Sequence, residues 1–157
     1  MDVTGKSKGE ITRRELLKLA SPLGRVMLET RDCTACGLCV LECEAGALSL
    51  VADQNSGTYR LLFRHHLCTA CGRCVKVCPE KCLRVERTLD LEKLNGPDEV
   101  LFEDNVVMCR ECGSPFASRA MVDSMKTKLG ITGQPAGSYL EICPTCKAGI
   151  RLNGAGR

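Results

Sequence analysis

The chain has 157 residues, of which 13 are Cys but only 3 Phe, 2 Tyr and no Trp. A flavin or haem pocket walled by aromatic rings is therefore not expected, and no apolar run approaches the roughly 18 residues that would span a bilayer. A net charge of +3 is too small to indicate a nucleic-acid binder by itself. An odd number of cysteines cannot pair fully within one chain, and their spacing favours metal over disulfides in a reducing compartment.

Residues 1–25 read as an N-terminal arm with one short amphipathic helix. Thr12 with Glu15 matches a capping-box pattern, and Leu16, Leu17, Leu19 and Ala20 would supply an apolar side. The Arg13-Arg14 pair also resembles a twin-arginine export signal. The stretch beyond it meets Pro22, Gly24, Arg25 and Glu29, so no sustained apolar region follows. The expectation is an arm that stays on the protein and docks against a partner; export is the alternative.

Residues 26–86 contain an internal repeat at an offset of 35 residues. Cys33-Thr-Ala-Cys-Gly-Leu-Cys-Val-Leu-Glu-Cys43 lies over Cys68-Thr-Ala-Cys-Gly-Arg-Cys-Val-Lys-Val-Cys78. Short apolar segments flank each copy: Val26 to Leu28 and Ala47 to Val51, then Leu61 to Phe63 and Leu83 to Val85. These read as strands around a Cys-rich loop and a helical turn. The turn formers Asp53-Gln54-Asn55-Ser56-Gly57 should join the two copies.

The run C-x2-C-x2-C-x3-C resembles the bacterial ferredoxin signature for 4Fe–4S clusters, and Pro79 follows the second copy as that signature requires. The resemblance implies an α+β fold with a duplicated βαβ ferredoxin unit and one-electron carriage by each of two 4Fe–4S clusters. Cluster one would take Cys33, Cys36, Cys39 and Cys78; cluster two would take Cys68, Cys71, Cys74 and Cys43. Gly37 and Gly72 stand where the backbone turns tightly and where glycine can adopt positive φ. Glu44 departs from the signature's proline, which should loosen that corner without removing a ligand. Cys82 reads as a buried structural thiol, and His65 and His66 as an exposed loop pair.

Residues 87–105 read as a linker, with Asn95-Gly96-Pro97-Asp98 at its centre. Residues 106–150 then form a four-Cys metal-binding module. Val106 to Met108 should be a strand leading into Cys109-x2-Cys112. Ser114 should cap a helix with Pro115 at its first position, carrying Phe116, Ala117, Ala120, Met121, Met125 and Leu129 on its apolar side. Tyr139 to Ile142 should be a strand leading into Cys143-Pro-Thr-Cys146, and residues 151–157 a frayed tail. Two knuckles offering four thiolates suit a closed tetrahedral site. Structural Zn2+ in a zinc-ribbon-like module is expected, with rubredoxin-like iron as the alternative.

Two clusters, a linker and a C-terminal four-Cys knuckle are together similar to the ferredoxin-like subunit of formate hydrogenlyase and related membrane-bound hydrogenases. That resemblance implies a cytoplasmic iron–sulfur subunit with no substrate site of its own. It would relay single electrons between redox centres of a multi-subunit oxidoreductase, a hydrogenase, formate dehydrogenase or similar complex. Its partners would be other redox subunits, with no nucleic acid, no direct membrane insertion and membrane association only through the complex. A free soluble ferredoxin-type carrier is the competing function. Such carriers are typically compact and acidic, whereas this chain adds a metal module and a basic arm.

Overall fold

A computed structural model describes residues 24–29, 31–88, 90, 92–93, 96–131 and 136–154. The arm through residue 23 lies outside them, including the Thr12 capping box, the paired arginines and the three leucines.

Strand β1 (Gly24–Leu28) pairs antiparallel with β4 (Leu83–Arg87), placing Val26 opposite Val85 and Leu28 opposite Leu83. A second sheet is four-stranded and antiparallel. It starts with the hairpin of β2 (Leu48–Asp53) and β3 (Thr58–Phe63). The Asp53 carboxylate accepts from Asn55 N–H at 2.9 Å and from the Ser56 hydroxyl at 2.7 Å, and Gly57 takes φ of 68°. The turn thus closes on side-chain bonds and one residue without a Cβ. Helix α1 (Leu38–Leu41) lies between β1 and β2, and α2 (Arg73–Val77) between β3 and β4.

Alternation puts Leu61 and Phe63 of β3 inward, where they pack with Val26, Ala47, Leu48, Cys82 and Leu83. Phe63 has no exposed surface. The same cluster includes Cys33, Cys39, Cys68 and Cys74, so the apolar core and the cysteine loops are one packed body.

Beyond residue 98 the chain departs from the sequence reading. The range 87–105 is not linker throughout: β5 (Glu99–Met108) is a ten-residue strand paired with β3. Its polar residues hid it. Glu103 pairs with Arg60, Glu99 with His65, and Asp98, just before the strand, with Arg64. Cross-strand charge pairs of this kind let a polar segment join a sheet.

Pro115 also does not open a helix. Residues Pro115–Ser118 form β6 against the end of β5, with Val107 opposite Ala117. Helix α3 (Arg119–Lys128) starts four residues later than expected, capped by Ser118, whose hydroxyl accepts from Met121 N–H at 3.1 Å. At the edge of a sheet, proline's missing N–H costs no ladder bond. Leu129, expected on the apolar side of the helix, is exposed.

The segment Tyr139 to Ile142 is no strand either. A short helix α4 (Ala136–Tyr139) passes into a turn in which Glu141 N–H donates to the Ser138 carbonyl. Helix α5 (Pro144–Gly154) then runs through most of the expected tail. Among the described residues, no helix is long and apolar enough to cross a membrane.

Candidate metal centres

The eight cysteines of the repeat line two separate cavities, and each cavity draws on both copies. One is lined by Cys33, Cys36, Cys39 and Cys78, with Cys82 beside them. The other is lined by Cys43, Cys68, Cys71 and Cys74. Their volumes, counted to the open mouths, are about 300 Å³ and 350 Å³. The fourth cysteine of each run lines the opposite cavity because it lies past the helical turn that carries the third. Cys43 lies past α1 and Cys78 past α2.

Backbone amides face the sulfurs. Ala35 N–H points to Cys33 Sγ at 3.4 Å, and Ala47 N–H to Cys43 Sγ at 3.2 Å. Gly37 and Gly72 take φ of 84° and 73° immediately before the two helical turns. Ala35 and Ala70 are also left-handed, at 49° and 53°. Glycine in the loops signalled tight turning, whereas nothing about an alanine announces positive φ. Burial raises the Cys39 thiol to about 12 and the Cys74 thiol to about 11, with neighbouring cysteines adding to the rise. Without a positively charged centre these thiols hold their protons at neutral pH, so loading a metal releases them.

Gly24 is a further participant that sequence reasoning assigned to the arm. Its N–H donates to the Cys68 carbonyl at 3.0 Å. A Cβ there would lie 2.8 Å from both Ala70 Cβ and Cys68 Sγ. The corner at Glu44 carries an exposed ion pair. Glu44 pairs with Arg73, which holds the place of Leu38 in the second copy, so two of the departures from the repeat meet in one ion pair.

The expected burial of Cys82 is seen, whereas the expected exposure of His65 is not. Cys82 is buried, and its sulfur is 3.5 Å from Cys78 Sγ. His65 is buried, not exposed: its Nε2 lies 2.7 Å from a Glu99 oxygen and its ring meets Phe63 edge-on at 4.6 Å. His66 remains exposed.

The four C-terminal cysteines converge as expected. The sulfurs of Cys109, Cys112, Cys143 and Cys146 all lie within 4.8 Å of one another, and Cys112 and Cys143 are 3.8 Å apart. Four thiolates around one tetrahedral ion stand about 3.8 Å apart, so the donor set fits a single Zn2+ or Fe ion. Cys143 N–H donates to Cys109 Sγ at 3.2 Å and Cys146 N–H to Cys143 Sγ at 3.5 Å. Burial opposes charge on Cys109, but the backbone amides of Cys143, Cys112 and Glu111 outweigh it and bring its pKa down to about 6. Cys146 is pushed up to about 12 by the sulfurs of Cys143 and Cys112. Sulfurs this close cannot all ionise alone; a bound cation removes the conflict.

Comparison with known families bears on the segment that lines the first two cavities. Residues 32–82 match the 4Fe-4S dicluster domain. The match spans about a third of the 157-residue chain and includes all eight cysteines of the repeat. A dicluster domain points to iron–sulfur electron transfer. No curated protein matches the chain. The C-terminal cysteine group lies outside the dicluster match and forms a separate metal-binding site.

Proposed function

We propose that the protein carries two 4Fe–4S clusters with crossed ligation and relays single electrons between redox centres of a larger oxidoreductase. Cys33, Cys36, Cys39 and Cys78 hold one cluster; Cys68, Cys71, Cys74 and Cys43 hold the other. The observation that carries this reading is that each cavity is lined by three cysteines of one run and the fourth of the other. Eight thiolates in two groups of four match the demand of two cubane clusters. The amides aimed at sulfur supply the surrounding hydrogen bonds that such clusters need.

Cys109, Cys112, Cys143 and Cys146 hold a structural Zn2+ in a zinc-ribbon-like unit that folds with its metal. A relay subunit, similar in plan to those of formate hydrogenlyase and membrane-bound hydrogenases, needs a surface near a cluster for its neighbour. Leu38 and Leu41 are exposed on α1, and Leu38 borders the first cavity. Apolar side chains left in water beside a redox centre suit a partner protein better than solvent.

Anaerobically purified protein should contain about eight iron atoms and one zinc per chain, with interacting signals in electron paramagnetic resonance after reduction. It should co-purify from native extract with a catalytic redox subunit. About four iron atoms per fully loaded chain, or a ninth iron in place of zinc, would overturn the corresponding part. Recovery as a free monomer that reduces several unrelated acceptors would favour a soluble carrier.

A further inference from the structure

Ser118 stands at the junction of β6 and α3, more than eighty positions from the first cysteine loop in sequence, yet its hydroxyl lies 2.6 Å from the Thr34 carbonyl oxygen. The side chain has no exposed surface. A carbonyl oxygen can only accept, so the hydroxyl proton goes to Thr34 and a lone pair remains for Met121 N–H. The Thr34 carbonyl and the Ala35 N–H belong to one planar peptide group. Holding the oxygen therefore sets the direction of the N–H, and that N–H points to Cys33 Sγ at 3.4 Å. Ala35 takes φ of 49°, a conformation a non-glycine residue leaves when released.

We infer that Ser118 is a positioning residue for the first cluster: its hydroxyl pins the Thr34–Ala35 peptide so that Ala35 N–H donates to the Cys33 sulfur. The inference rests on the reading of Cys33 as a cluster ligand. An N–H bond to a ligand sulfur favours the reduced, more negative cluster and so raises its potential. The second loop is braced otherwise. There Gly24 donates to the Cys68 carbonyl and packs on Ala70. Ser118 thus acts on one cluster of the two, and it ties that cluster to the four-Cys region through the same residue that starts α3.

The test is an anaerobic redox titration of the holoprotein followed by electron paramagnetic resonance. Ser118→Ala should move one couple to more negative potential and leave the other in place, with iron content unchanged. Ser118→Cys, which keeps a weaker donor of similar size, should move the same couple by less; it serves also if Ser118→Ala does not fold. Asp104→Ala is the structural control. The Asp104 carboxylate accepts from Ala120 N–H at 2.6 Å and supports the same helix start without touching Thr34. Asp104→Ala should lower stability and move neither couple. Two unmoved couples in both Ser118 variants, or an equal shift in Asp104→Ala, would overturn the inference. Cys36→Ala separates the two layers. If it abolishes the couple that Ser118 moves, both hold; if it abolishes the other couple, the Ser118 inference alone fails; if it abolishes neither, the ligand reading fails.

Discussion

The Arg110 guanidinium donates to the Glu141 carboxylate at 2.8 Å while the Arg110 backbone N–H donates to the Glu141 carbonyl at 3.1 Å. Arg110 follows Cys109 and Glu141 precedes Cys143 by two residues, so this double contact ties one knuckle to the other. Arg119 and Lys126 reach the same carboxylate, each at 3.2 Å.

Replacing Glu141 with Gln should therefore weaken metal retention at the four-Cys site. The arginines are about half exposed, so solvent screening holds the effect to about 1 kcal/mol. That corresponds to roughly fivefold faster competition by a chelator. The hydrogen bond from Lys126 leads the interactions that hold the Glu141 carboxyl below its ordinary 4.5, against the cost of burial. Its stabilisation is then fully present above pH 4.5 and is lost as pH falls through the lower folded-state value. Denaturation of wild type and Glu141→Gln should give curves that converge as pH drops below 4.5. A gap that widens with acidification would contradict this.

Gly24→Ala should perturb the second cavity selectively. The added Cβ meets Ala70 Cβ and Cys68 Sγ at 2.8 Å, and overpacking against a fixed loop costs about 1–3 kcal/mol. Iron should fall towards half, with the surviving signal being the one lost in Cys36→Ala. Gly57→Ala, which meets nothing within 4 Å, should lose about 1 kcal/mol through its positive φ alone and keep full iron. Equal iron loss in both would assign the effect to general instability.

The strands flanking the cysteine loops were legible because Val26, Leu48, Leu61 and Leu83 follow a pattern in which burial and sequence agree. The grouping at the C-terminal site was legible from two knuckles alone. What stayed hidden was set by distant partners. The strand character of Glu99 to Asn105 depends on Arg60 and His65 across the sheet. The burial of His65 depends on Glu99. The place of Pro115 depends on a β5 edge that local pattern does not reveal, and Ser118 gains its role only when Thr34 is brought beside it.

Phe63→Ala should be among the most damaging apolar changes. The ring is fully enclosed between the sheet and the cysteine loops, and such a truncation costs about 3–5 kcal/mol. Thermal unfolding with absorbance at the cluster bands should show cluster loss at the same temperature as loss of secondary structure, because the core and the loops are one cluster of contacts. Cluster bleaching well before unfolding of the sheet would show that they are separable.

Crossed ligation can be read at Cys43, which in sequence belongs to the first run while its side chain lines the second cavity. Mössbauer and electron paramagnetic resonance spectra of Cys43→Ala, Cys36→Ala and Cys71→Ala holoproteins should be compared. Crossed ligation predicts that Cys43→Ala perturbs the same cluster as Cys71→Ala and leaves intact the one lost in Cys36→Ala. If Cys43→Ala instead reproduces Cys36→Ala, each run holds its own cluster and ligation is not crossed.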